Sequence, residues 1–222
     1  MFPVVILLLA IASGVRSNER KYTCSDADQM AVKKCTDAFF KDFYPANFDL
    51  NHLPPFTNLT TTFHNLISGY GPQGMLIICR QTNTAHKCMA ALYKTSCTSG
   101  AAFQKMYALD QWNAARYSAD FPARDYECEH FDDMMPNFAC LYTTEDDSQA
   151  AITLCENKFE FELHQGRDLC MIQSEFVDCV SQVYTTACGP TVRRFICGVV
   201  ETVVDSEDEG KCIGKLPACV NI

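Results

Sequence analysis

Beyond its first twelve residues the chain has no long apolar run. The longest later stretch, Cys88-Met89-Ala90-Ala91-Leu92-Tyr93, is six residues, against the roughly 20 needed to cross a bilayer. The C-terminal KLPACVNI offers no hydrophobic tail for a lipid anchor, so no membrane span is expected. No Cys-x-x-Cys or His-x-x-x-His pair supplies metal-ligand spacing, and no GxSxG, HExxH or GDSGG motif occurs. The sequence therefore calls for no metal, no cofactor and no familiar hydrolase centre. Apolar and polar residues never alternate long enough to build a sheet, which leaves helix as the expected fold class.

What is present begins with a leader. Met1 to Ala12 reads MFPVVILLLAIA, and small-x-small steps follow at Ala10-Ile11-Ala12 and Val15-Arg16-Ser17. That order of apolar run and cleavable site describes a secretory signal peptide over residues 1–17, and predicts a secreted, extracellular protein. Fourteen cysteines in a chain bound for an oxidising compartment predict a full set of disulfides: Cys24, Cys35, Cys79, Cys88, Cys97, Cys128, Cys140, Cys155, Cys170, Cys179, Cys188, Cys197, Cys212 and Cys219. Once Arg16 leaves with the leader, 17 Lys and Arg face 27 Asp and Glu, a net charge of −10. Such a surface repels nucleic acid and anionic lipid.

The chain reads as one cysteine-rich unit used twice, over residues 18–125 and 126–222. Cys79 to Cys97 and Cys170 to Cys188 both run Cys-x8-Cys-x8-Cys. At an offset of 91, Tyr93 matches Tyr184, Thr95 matches Thr186, and Ala85, Met89 and Leu92 fall on Phe176, Val180 and Val183. Upstream, Cys24 and Cys35 align with Cys128 and Cys140. The longer linker of the first unit is accounted for by Pro45 to Thr62, read as an inserted loop. Helical periodicity covers most of both units. Ser25 caps a helix burying Val32, Cys35, Phe39 and Phe43; Leu59, Phe63, Leu66, Ile67 and Tyr70 form a second stripe. Thr84 starts a helix through Cys97, and Ser99 starts the next. In the second unit, Ile152, Cys155 and Phe159 share a face. Ser174-Glu175 opens a helix closed by Gly189-Pro190, and Val192, Ile196, Val199, Val200 and Val203 mark a last helix. The expectation is an all-α, disulfide-rich tandem of small helical bundles.

Helical geometry restricts the bridges. Nine helical residues rise about 13.5 Å, while a disulfide needs Cα atoms within about 7 Å. Cys88 cannot then bond Cys97, nor Cys179 bond Cys188. Five cysteines in the first unit is an odd number, so one must pair outside its group, and Cys128 at the junction is the nearest candidate. Tyr93 and Tyr184 should be buried in equivalent settings.

The run Cys170-x8-Cys179-x8-Cys188-Gly189, continuing through a further helix to Cys212, resembles the nematode secreted proteins grouped as domain of unknown function 19. The likeness covers residues 125–212. The first unit departs from it, with Cys97-Thr98 where Cys-Gly is expected. The resemblance implies a secreted, helical, disulfide-rich protein and brings no activity with it.

Several residues stand out as candidate sites. Asn58-Leu59-Thr60 is an N-glycosylation sequon. Glu129, His130, Asp132 and Asp133 form the densest titratable cluster, capable in principle of general-base chemistry if they converge. Trp112 and Tyr117 fall partly off the face of Phe103, Met106 and Tyr107, and are candidate interaction anchors. The reading that follows is an extracellular binding or interaction protein of unknown partner, without catalysis. The alternatives are a carrier enclosing an apolar ligand and, behind it, a hydrolase using Glu129, His130 or Asp133.

Overall fold

The computed structural model describes residues 24–44, 49–207, 210–212, 214–216 and 219. The leader at residues 1–17 lies outside them. Among the described residues helix accounts for 82% and no strand is present, so the protein is all-α. Contacts divide the chain into two compact units that meet in sequence at Phe121 and Pro122.

The first unit opens with α1 (Asp26–Lys41). Ser25 is its N-cap: the hydroxyl oxygen accepts the Asp28 N–H at 3.1 Å, and Asp26 and Asp28 sit where the helix dipole favours negative charge. Val32, Cys35, Thr36, Phe39 and Phe40 are buried, a continuous stripe at 3–4 spacing. The next helix, α2 (Phe56–Tyr70), buries Phe56, Leu59, Phe63 and Ile67. It occupies the last seven residues of the stretch read as a loop, because Pro55 at its N-cap, with φ already at −49°, starts the helix rather than barring it. Gly71, at φ +57°, makes the turn into α3 (Pro72–Met89), which carries Pro72 in its first turn. Gly74 sets the α2–α3 approach: a Cβ there would lie 2.5 Å from the Leu66 carbonyl oxygen.

The helix expected from Thr84 to Cys97 is corrected at both ends. Thr84 lies inside α3, its hydroxyl donating to the Arg80 carbonyl at 2.8 Å, because the apolar spacing of Met75, Ile78 and Cys79 already commits the preceding turns. The helix then stops at Met89. Ala90 and Lys94 take left-handed conformations, at φ +47° and +56°, and short 3₁₀ turns at Ala90–Leu92 and Ser96–Thr98 carry the chain to Cys97. Ser99 caps α4 (Gly100–Tyr107) by accepting the Ala102 N–H. An aromatic cluster of Phe39, Phe40, Phe56, Phe103, Tyr107, Tyr117 and Phe121 fills the interior, with edge-to-face pairs such as Phe40–Tyr117 at 5.4 Å and Phe56–Tyr117 at 5.1 Å.

The unit division falls inside α5 (Gln111–Glu129), which contains Pro122. The second unit continues with a four-residue helix, α6 (Phe131–Met134), then α7 (Phe138–Asp147), α8 (Gln149–His164), α9 (Leu169–Cys188) and α10 (Arg193–Glu207). Its core is aliphatic. Ile152, Ile172, Val177, Val180, Val192, Ile196, Val199, Val200, Val203 and Val204 are buried, with Phe159, Phe176, Tyr184 and Phe195 among them. The expected start of α9 at Ser174 is also corrected: Asp168 is the N-cap, accepting the Met171 N–H at 3.0 Å. Gly189, at φ +88°, ends α9 as the Gly-Pro step implies.

No described cysteine is a free thiol. In the first unit Cys24 bonds Cys97 and Cys35 bonds Cys88. In the second, Cys140 bonds Cys188, Cys155 bonds Cys179, Cys170 bonds Cys212 and Cys197 bonds Cys219. Neither Cys88–Cys97 nor Cys179–Cys188 forms, as the helix rise requires for the second pair. For the first pair the outcome holds for another reason, since Cys97 lies beyond the helix end. Four first-unit cysteines close on one another, which leaves Cys79 as the odd one that parity demands; it too is oxidised. The upstream alignment of Cys24 and Cys35 with Cys128 and Cys140 is corrected by this connectivity. By bonding role, Cys24 corresponds to Cys140 and Cys35 to Cys155.

Candidate functional site

The Glu129–Asp133 cluster sits where α5 gives way to α6. The His130 ring stacks on the Tyr126 ring, with centroids 4.0 Å apart and planes 19° from parallel, and Nδ1 lies 2.9 Å from the Tyr126 carbonyl oxygen. The His130 carbonyl accepts the Asp133 and Met134 N–H groups, so the residue closes one helix and opens the next. Glu129, Asp132 and Asp133 are exposed, and no hydrogen bond among the described residues joins any of them to the imidazole. Tyr126 is half-buried, and burial raises its phenol pKa; Arg194 opposes that shift, while Asp133 and Glu201 add to it. The Tyr126 hydroxyl rests against the backbone at Gly198, where a Cβ would come within 1.9 Å of it. The arrangement is a packed helix junction whose carboxylates are exposed and not hydrogen-bonded to the histidine.

The two aromatic candidates separate. Trp112 is half-buried, with the Arg116 guanidinium 3.9 Å over its ring centroid. Tyr117 is corrected from anchor to core: it is 0% exposed, its hydroxyl donates to the Pro54 carbonyl at 2.9 Å, and it meets the Tyr44 hydroxyl at 3.2 Å. A tyrosine on the helix after a known stripe can still face inward when a loop closes over it, and the segment before α2 does so here. The contact shields both phenols: burial pushes Tyr44 up to about 12 and Tyr117 higher still. Asn58 is exposed in the first turn of α2.

Sequence reading missed two features. One is the charge inside α5. Arg116, Asp120, Arg124, Asp125 and Glu127 are each no more than 5% exposed, and Arg124 pairs with Glu127. Their spacing, with Arg116, Asp120 and Arg124 four apart and Glu127 three further on, is that of a buried stripe. Only their residue type hid it. The other is the division of charge. Residues 24–121 hold eight Lys and Arg against seven Asp and no Glu, a balance of +1. Residues 122–222 hold seven against nineteen Asp and Glu, a balance of −12.

The most open surface in the acidic unit lies on α8 and α9. These helices run antiparallel, joined by Cys155–Cys179, by Phe159 against Phe176 at 5.5 Å, and by Lys158 to Glu175 at 2.9 Å. Arg167 bridges Glu162 and Glu175, and with Lys158 it holds the Glu175 carboxyl well below its ordinary value, at about 2. Outside this seam, Leu154, Phe161 and Met171 are 70%, 64% and 56% exposed. The hollow within the seam holds about 10 Å³, the room of one water. In the first unit a shallow depression along α1 is lined by Met30, Lys33, Lys34, Asp37, Ala38 and Lys41. Among the described residues no group of His, Cys, Asp and Glu is arranged to hold a metal ion, and no helix is long and apolar enough to cross a membrane. Comparison with family models, with curated proteins and with solved structures returns no match.

Proposed function

We propose that this is a secreted binding protein: a rigid, cross-linked helical scaffold that acts through its surface on an extracellular partner and performs no catalysis. The observation that carries the reading is where polarity and apolarity lie. The aromatic cluster of the first unit and the valines and isoleucines of the second are buried, and the hollow between α8 and α9 has the room of one water, which favours a surface role over an enclosed apolar cargo. Glu129, Asp132 and Asp133 are exposed, and no hydrogen bond or ion pair among the described residues joins their carboxylates to His130, whose Nδ1 contacts the Tyr126 carbonyl oxygen. Large apolar side chains are instead presented outward on α8 and α9. The leader-like residues 1–17 and the oxidised cysteines favour the secretory route, as does the resemblance of residues 125–212 to the nematode secreted family. On that route Asn58 meets the glycosylation machinery with its side chain exposed, and we assign it a glycan.

Two measurements test this. Affinity capture of the oxidised full chain from the extracellular fluid of its source should return a protein that is retained saturably. Recovery of a small apolar molecule in an organic extract, with no protein, would make the chain a carrier. Glycosidase treatment of the secreted chain should lower its mass, and the shift should vanish in Asn58→Gln. An unchanged mass for the wild type would remove the glycan.

A further inference from the structure

The exposed side of α8 has the form of a docking face. Its inward stripe, Ile152, Cys155 and Phe159, is buried. A second apolar stripe on the opposite side consists of Leu154 and Phe161, seven residues and so two turns apart, about 10.5 Å along the axis. A helix of a monomeric bundle needs one apolar face, not two. The antiparallel register set by Cys155–Cys179 and Lys158–Glu175 brings Met171 of α9 level with Glu162 and Leu163, one turn or less from Phe161. Leu154, Phe161 and Met171 are three of the six large apolar side chains that the described residues leave exposed, and they lie on this one layer. Exposed apolar side chains gathered on one layer, here on either side of the ion-paired Lys158, mark an interaction site.

Charge identifies the occupant. The unit presenting the face carries −12. Glu160 and Asp168 are exposed beside it, and Asp178, two turns along α9 from Met171, is half-exposed and paired to Arg193 at 3.7 Å. The cations at the seam, Lys158 and Arg167, are already ion-paired to Glu162 and Glu175. A second copy of the same face would meet the same excess of negative charge, and so would an anionic membrane. The geometry is that of a surface on which a helix lays its apolar ridge.

We propose that the α8–α9 face of the second unit binds a cationic amphipathic helix of a partner protein, apolar residues seated on Leu154, Phe161 and Met171 and Lys or Arg facing the surrounding carboxylates. The proposal rests on the binding-protein reading and specifies its surface and the chemistry of its partner.

The test uses the oxidised full chain and two labelled two-heptad peptides, one with Leu at the apolar positions and Lys elsewhere, the other with Glu in place of Lys. Fluorescence anisotropy should show saturable binding of the Lys peptide alone, weakening as salt rises. L154S/F161S should weaken it about tenfold or more, while Tyr70→Ser, which alters an exposed aromatic of the first unit, should leave it unchanged. Circular dichroism should match for all three proteins, since both replaced side chains of α8 are solvent-exposed. No binding of the Lys peptide, equal binding of the Glu peptide, or indifference to L154S/F161S would overturn the proposal. So would sedimentation showing that the face mediates self-association, or flotation showing that it binds zwitterionic vesicles. A captured partner that L154S/F161S retains in full would refute this surface and leave the binding-protein reading intact.

Discussion

The two units are cross-linked in the same order and built from different materials. In each, an early cysteine bonds the third member of the Cys-x8-Cys-x8-Cys run, and a later one, nested inside that loop, bonds the second: Cys24–Cys97 around Cys35–Cys88, and Cys140–Cys188 around Cys155–Cys179. Yet the first interior buries nine aromatic side chains against three Val or Ile and the second four against ten, the charges are +1 and −12, and the three cysteines sit differently. All three lie on one helix in α9, whereas α3 ends before Cys97. Nested bridges fix which segments are neighbours, and leave the helix ends, the packing and the surface free to diverge. The shared bonding order is the strongest support for a duplication, which we propose in place of the one-to-one alignment of residues.

Loop length separates the units most. Cys35 and Cys88 are 53 residues apart, Cys155 and Cys179 only 24. In the chain-entropy limit, removing them as C35S/C88S and C155S/C179S costs about 4 and about 3.5 kcal/mol, and less where the outer bridge already confines the loop. Chemical denaturation should show both variants destabilised, the first at least as much as the second. A loss confined to the second unit would mean the first is held by its aromatic core alone.

Glycine contacts sharpen the comparison. A Cβ at Gly74 would meet backbone atoms of Leu66 and Ile67 at 2.5–2.9 Å, which cannot move without parting α2 from α3. A Cβ at Gly198 would meet the Tyr126 ring, which is half-exposed and can swing aside. Gly74→Ala should cost about 1–3 kcal/mol. Gly198→Ala should cost less, and Tyr126→Ala should relieve it. Denaturant midpoints of the three variants decide this; an equal cost at both glycines would contradict it. A smaller effect is expected at Tyr117→Phe, which frees the Pro54 carbonyl and should cost about 1 kcal/mol, read from the same curves.

The smallest effect is electrostatic. Glu175 has its folded pKa depressed from 4.5 to about 2 by Arg167 and Lys158. Its contribution is therefore present above about pH 4.5 and lost as pH falls toward 2. The Tm difference between wild type and Glu175→Gln should shrink over that interval and stay constant from pH 5 to 7. The pairs are exposed, so the shift is modest.

Much of this architecture is legible in the residues. The Ser25 and Ser99 caps, the stripes of α8 and α10, most of those of α1 and α2, and the Gly189 stop follow from spacing and capping chemistry; Phe43 is only half-buried and Tyr70, at the end of α2, is exposed. The end of α3 does not, because Ala90 turns the chain left-handed with no Gly or Pro to announce it. The role of α5 stayed hidden because hydropathy places Arg and Asp at the surface wherever they occur, although Arg116, Asp120, Arg124 and Glu127 recur at core spacing. Tyr117 was misplaced because its partner, the Pro54 carbonyl, is 63 residues away. The upstream cysteines align by spacing, which does not report the bridge that each one forms. The exposed stripe of α8 is not legible because periodicity picks out Ile152, Cys155 and Phe159 as the buried face and says nothing of Leu154 and Phe161 on the other side.

Disulfide mapping of the native protein by mass spectrometry, after proteolysis without reduction, tests the nested plan most directly. It should recover peptides joining Cys24 to Cys97, Cys35 to Cys88, Cys140 to Cys188 and Cys155 to Cys179. A Cys35–Cys97 or Cys140–Cys179 linkage, crossing the order in one unit and not the other, would contradict the shared plan.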